Sequence, residues 1–322
     1  MAGSLLYLSR AEVQALGITP RAAREAVLRA FRDHAAGLSH SLPKAAISLG
    51  PGHGFQAMPA ASAGQGIASV KWVAMAPVPA GAGMPGISGL VLVSDYASGA
   101  PLAVLDGDEI TLLRTAAMSA AASACMAPPA PRVIGLVGCG AQAPAHLAAF
   151  HDLYPGLTRA LLVSRSRASA ERVAGLARAR GLAAEVLDDA ASLLEAADLV
   201  VSLVPGAPGL RPFLDARQMR PVAFAAAVDT GRSWLPDSFP AFDLLATDSL
   251  AQSQAPYDVA GNPVTTARFG NDLVHLAGTD RPVAPDARSL FCFRGFAIAD
   301  LALAALVLDR ARAAGRGLRL ER

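Results

Sequence analysis

The chain has little charge, few aromatic residues and almost no cysteine. Of its 322 residues, 17% are Asp, Glu, Lys or Arg, 5% are aromatic and three are cysteine. Cys125, Cys139 and Cys292 are odd in number, far apart and without a CxxC pair. That excludes a disulfide framework and a cysteine-based zinc site, and it fits a reducing, cytoplasmic compartment. The six histidines form no HExxH or i, i+4 pair, so no metal is expected. There is no GxSxG elbow for a hydrolase nucleophile. There is also no run of Lys and Arg, and the net charge is only +2, so a nucleic-acid partner is not expected. The Ala-rich stretch 116–127 is too short for a membrane span and carries Ser119 and Ser123. The first residues lack a basic region followed by a long apolar run, so no secretory signal is expected.

What is abundant is apolar material. At 53% it is ample for a sizeable core, which excludes disorder. The length suggests two domains or one large one. Ser9 and Glu12 fit a capping box, and helix is expected from there to about Ala36, broken near Gly17-Ile18-Thr19-Pro20. From Ala45 to Val104 short apolar runs alternate with Gly/Pro clusters, the pattern of an antiparallel or mixed sheet. A long helix, Asp108 to Met126, stops at Pro128-Pro129-Ala130-Pro131.

Beyond this boundary strands and helices alternate. Strands are expected at 132–137, 160–164, 184–186, 198–204, 222–228 and 244–247, with helices between the first four. Such spacing means βαβ units and a parallel sheet. A last helix, Ala297 to about Ala314, ends at Gly315-Arg316-Gly317, and a short strand can follow. The expected fold class is α/β, with a Rossmann domain in the second part of the chain.

The first strand of the second half ends in Gly138-Cys139-Gly140-Ala141-Gln142-Ala143. Glycines there let the backbone turn tightly and approach a pyrophosphate, while the following helix offers free N–H groups and a partial positive charge. The context of strand, loop and helix is what the motif requires; the alternative is a tight turn in a Rossmann-like fold without cofactor. The second strand ends in Ser164-Arg165-Ser166-Arg167, with no carboxylate for an adenosine ribose. Ser164 and Arg165 suit a 2′-phosphate, so NADP(H) is expected to bind at least as well as NAD(H). Cys139 reads as a small packing residue.

Several segments together resemble the ornithine cyclodeaminase/μ-crystallin family. They are Met58-Pro59-Ala60, Val70-Lys71-Trp72-Val73, the run from Gly99 to Gly107, Ile110 to Ala117 with its Arg114-Thr115-Ala116-Ala117, Gly138 to Gln142, and Gly295 to Asp300. The resemblance implies a smaller α+β substrate and dimerisation domain over 1–115, to which 312–322 returns, beside a Rossmann domain over 116–311, a homodimer, and hydride transfer between NAD(P) and the nitrogen-bearing carbon of an amino or imino acid. It gives Arg114 as the carboxylate clamp, with Lys44, Gln56 and Met58 also on the substrate side. It gives Lys71 and Asp229 as proton carriers, and Thr115 and Asp229 as neighbours of a cofactor held by Gly138, Gly140, Ala141 and Gln142. Ornithine cyclodeamination and a non-catalytic, crystallin-type ligand-binding protein are the alternatives. Four positions depart from the family pattern: Lys44 for arginine, Gln56 for glutamate, Ala227 for glycine and Trp234 for glutamate.

Overall fold

The computed structural model describes residues 4–50, 53–76, 85–207, 209–255, 257–258, 261, 264–279 and 286–322. The chain opens with β1 (Ser4–Leu8), α1 (Arg10–Ala15) and α2 (Pro20–Ala35). Five strands in succession follow, β2 (Ser39–Ser41), β3 (Ala45–Ser48), β4 (Gly54–Ser62), β5 (Ile67–Met75) and β6 (Ile87–Asp95), then β7 (Pro101–Asp106) and the long α3 (Gly107–Met126). Next come β8 (Val133–Val137), α4 (Gln142–Leu153), β9 (Arg159–Val163), α5 (Arg167–Arg178), β10 (Ala183–Val186), α6 (Ala190–Ala196) and β11 (Leu199–Ser202). The chain closes with β12 (Ala223–Ala227), β13 (Leu244–Thr247), β14 (Asn271–Asp272), α7 (Leu273–Leu276), β15 (Arg288–Cys292), α8 (Ala297–Ala313) and β16 (Leu318–Glu321).

The chain divides into two compact units. One takes in Met1–Arg114, Tyr257–Asn262 and Phe296–Arg322; the other takes in Thr115–Pro256 and Pro263–Gly295. The first boundary falls inside α3. The second corrects the expected return at 312: the chain re-enters the first unit at Phe296, so all of α8 belongs there. Its packing explains this, because α8 lies against α2, β4 and β5.

In the first unit the sheet runs β16-β1-β7-β6-β5-β4-β2, with β3 also on β4. It is mixed: β1 is parallel to β7 and the other pairs are antiparallel. Alternation along β4 and β5 sends Gln56, Met58, Ala60, Ser69, Lys71 and Val73 to the buried face. The capping box forms as read, with the Ser9 hydroxyl accepting from the Glu12 amide and the Glu12 carboxylate accepting from the Ser9 amide. Thr19 caps α2 and Pro20 opens it.

The second unit is a single parallel sheet, β10-β9-β8-β11-β12-β15-β13-β14. β8, β11 and β12 are buried at every position, as strands covered on both faces must be. Strand order reverses at β8, with β9 on one side and β11 on the other. Ligands bind beyond the carboxyl ends of strands at such a reversal. β15, central in this sheet, was not among the expected strands. Among the described residues no helix is long and apolar enough to cross a membrane.

Candidate active site

The loop after β8 has the geometry a dinucleotide needs. Gly138 has φ +95°, and a Cβ there would lie 2.9 Å from the Leu203 carbonyl oxygen, so neither conformation nor space allows a side chain. The Gly138 amide donates to the Val163 carbonyl at 2.7 Å, which ties the loop to the end of β9. Above Gly140 a Cβ would meet nothing within 4 Å. The N-terminus of α4 carries no side-chain cap at Ala141, so its amides remain for an anion. The Gln142 side-chain oxygen is buried with no hydrogen-bond partner among the described residues. The residues present therefore fit a pyrophosphate-bearing cofactor. Gly138→Ala is expected to weaken dinucleotide binding and to cost more than about 1 kcal/mol of stability; fluorescence titration and thermal unfolding measure the two effects.

Other groups border this loop. Arg172 from α5 donates to the Cys139 carbonyl at 3.1 Å. Burial pushes the Cys139 thiol up to about 11, so it stays protonated at neutral pH. Past β9, Ser164 is half-buried and Arg165 exposed. Arg167 instead pairs with Asp188 at 3.4 Å, both well exposed.

Asp229 stands two residues beyond β12 and is buried. Its Oδ1 accepts from the Ser202 hydroxyl at 3.0 Å and from the Gly231 amide at 3.1 Å; its Oδ2 accepts from the Ser233 hydroxyl. Burial raises its pKa to about 6 against the pull of the two serine hydroxyls, of Arg232 and of the Gly231 amide. The next residue, Thr230, has φ +60°, rare for a β-branched side chain. Arg232 holds that turn, donating to the Asp229 carbonyl at 2.8 Å and to the Thr230 hydroxyl at 2.9 Å.

The first unit gathers the residues expected on the substrate side. Met58 stands opposite Lys71 in the β4–β5 ladder, and Gln56 opposite Val73. Lys71 is 2% exposed inside an apolar strand. Its Nζ donates to Asp300 at 2.7 Å and to the Thr111 hydroxyl at 3.3 Å. Arg114, also buried, places its Nε 3.2 Å from the same Asp300 oxygen. Burial first, then the Arg114 charge, lowers the Lys71 pKa to about 8; Asp300 opposes this, and Lys44, half-buried before β3, adds to it. Thr115 follows Arg114 in α3 and is buried. Asp300 was missed by sequence reasoning. The signal was there: one carboxylate in the apolar run Ala297 to Leu308 needs a buried cation, and Lys71 is a lone cation in an equally apolar strand.

The model of the ornithine cyclodeaminase/mu-crystallin family matches residues 6–233. The nodulation efficiency protein of Rhizobium meliloti is 26% identical, with 98% of each chain covered. The alanine dehydrogenase of Archaeoglobus fulgidus is 28% identical, again over 98% of each chain. Among solved structures, the Δ1-pyrroline-2-carboxylate reductase of Thermococcus litoralis, in complex with NADH and L-proline, superposes with a TM-score of 0.87 at 22% identity, covering 98% of this chain and 100% of that one.

Proposed function

The chain belongs to the ornithine cyclodeaminase/mu-crystallin family, and on that footing we propose that it transfers a hydride between NAD(P) and the nitrogen-bearing carbon of an amino or imino acid. The observation that carries this is the buried cluster of Lys71, Arg114 and Asp300. Two cations brought to one carboxylate oxygen inside an apolar unit form a stabilised anchor for a second carboxylate, that of the substrate. Arg114 binds the substrate carboxylate and Lys44 assists. Gln56 and Met58 line the buried face beside Lys71. When bound, the nicotinamide supplies or accepts the hydride. Lys71 or Asp229 supplies or removes the proton at the substrate nitrogen, their pKa values of about 8 and about 6 bracketing neutrality. Gly138, Gly140, Ala141 and Gln142 hold the pyrophosphate, with Thr115 beside the cofactor. The test is a screen of alanine, ornithine, lysine and cyclic imino acids with both cofactors, following nicotinamide absorbance and ammonia. Redox turnover of an amino or imino acid supports the reading. Ammonia release from ornithine without net redox would replace it with cyclodeamination, and tight cofactor binding with no turnover would replace it with a binding protein.

Ser164 and Arg165 bind the adenosine 2′-phosphate, so NADP(H) binds at least as tightly as NAD(H). Arg165→Ala is expected to lower NADP(H) affinity about ten- to a hundredfold, the worth of a charge-assisted hydrogen bond, and to leave NAD(H) affinity unchanged. Equal losses for both cofactors in a titration would contradict this.

The protein acts in the cytoplasm, in keeping with three buried, unbridged cysteines, and as a homodimer. The outer face of the first sheet supports the dimer: Trp72, Leu90 and Leu92 are exposed there, and Phe55 stacks on Trp72 at 5.7 Å. Trp72 is opposite Leu90, and Leu92 opposite Val70 and Val104, so the patch is continuous across four strands. An apolar sheet face of this kind needs a cover. Sedimentation should give twice 32.8 kDa at micromolar concentration, and Trp72→Glu should shift it toward the monomer.

A further inference from the structure

We propose that Trp234 is a positioning residue for Asp229, acting through Ser202. The indole N–H of Trp234 donates to the Ser202 hydroxyl oxygen at 3.0 Å, and that hydroxyl donates to Asp229 Oδ1 at 3.0 Å. An indole nitrogen can only donate. It therefore occupies a lone pair of Ser202 and leaves the hydroxyl proton directed at the carboxylate. The Gly231 amide fills a second position on the same oxygen. Oδ1 is thus held by two fixed donors, and a proton taken up by Asp229 goes to Oδ2, beside Ser233. The Ser233 hydroxyl can then turn from donor to acceptor; for Ser202 the same turn must send its proton away from both Asp229 and the indole that it accepts from.

The network is buried. Ser202 and Ser233 are fully buried and Trp234 is 1% exposed. The indole packs edge-on against Phe242 at 5.5 Å. The carbonyl of Ser202 also accepts from the amides of Val228 and Asp229, so β11 fixes both ends of the serine relative to the acid. Arg232, on the same turn, is the cation nearest Asp229 in effect. From β15, the Cys292 thiol faces the group as well; burial keeps it protonated, and it feels Asp229, Asp248, Arg294 and Arg232. The family resemblance has a glutamate at position 234. Tryptophan at this position donates to Ser202 and, unlike an ionised carboxylate, can do nothing else there.

This inference rests on the reaction proposed above only for its consequence; its test does not need turnover. The chain has two tryptophans, Trp72 and Trp234, hence two indole N–H resonances in ¹⁵N-labelled protein. The Trp234 resonance should shift with pH, with a midpoint near 6, while that of Trp72, on β5, does not follow it. Ser202→Ala and Asp229→Asn should each abolish the shift while the resonance persists. Trp234→Phe keeps the ring contact with Phe242 and removes the donor; it should move the acid limb of the oxidative kcat profile up by about half to one pH unit. A Trp234 resonance that does not titrate, or a titration that survives Asp229→Asn, overturns the proposal. If no amino or imino acid is turned over, the proposed reaction fails, and the resonance titration alone decides the role of Trp234.

Discussion

Replacing Lys71 with methionine is expected to lower kcat by about 10²–10⁴-fold, the range that a positioned general acid or base contributes, with little change in cofactor affinity. Methionine keeps the length and apolar stem of lysine, so packing in β5 is conserved and the loss reports the ammonium. Lys71 supplies a proton only while charged. In the reductive direction the parent enzyme should lose activity as pH rises through about 8, where Lys71 deprotonates. In the oxidative direction the nitrogen must lose a proton, and the acid limb, near 6, belongs to Asp229, which serves as a base only when ionised. Lys71→Met should remove the alkaline limb along with the rate. Near-normal turnover in this variant, on a substrate the parent accepts, would remove Lys71 from the mechanism. The two residues lie in separate compact units, and the pH profile assigns each its limb.

Asp300→Ala is expected to be the most destabilising of these substitutions. It leaves Lys71 and Arg114 buried without the carboxylate they share. Removing one partner of a buried ion pair costs about 3–5 kcal/mol, a large part of the roughly 5–15 kcal/mol that holds a domain folded. Asp300→Asn preserves the shape and separates charge from volume. Asp300 raises the Lys71 pKa, so without it the lysine titrates lower, and the alkaline limb should move to lower pH in whichever variant folds. Denaturant unfolding and the pH profile measure these two effects independently. A limb that stays in place while stability falls would reduce Asp300 to a structural ion pair.

Much of the second unit is legible in the sequence because its rules are local. A buried strand, two glycines and a helix start are contiguous at 133–142, and the structure needs Gly138 for reasons of φ and space that any reader of the loop can anticipate. Lys71 is legible as a cation in an apolar strand. The rest depends on contacts between distant segments. β15 is a five-residue run, Arg-Ser-Leu-Phe-Cys, with no flanking helix of regular spacing to mark it, and only insertion between β12 and β13 makes it a central strand. α8 has an apolar surface all round, so its sequence cannot say which unit it serves; α2, β4 and β5 decide. Asp300 is visible as an anomaly, but its partner is 229 positions away. The indole of Trp234 reads as a departure from a family pattern, and only its hydrogen bond to Ser202 gives that departure a chemical content.

The discontinuity of the first unit sets an order of events on the ribosome. Thr115–Gly295, which holds the whole parallel sheet, emerges before Phe296–Arg322 exists. Domains generally fold as units during synthesis. The dinucleotide loop can therefore assemble while the first sheet still lacks both its edge strand β16 and the helix that brings Asp300. Until α8 is made, Lys71 and Arg114 have no Asp300 to meet. The amino-terminal part of the chain must wait for α8, and a chain that stops before Phe296 carries the whole parallel sheet but lacks the anion that pairs with its two buried cations.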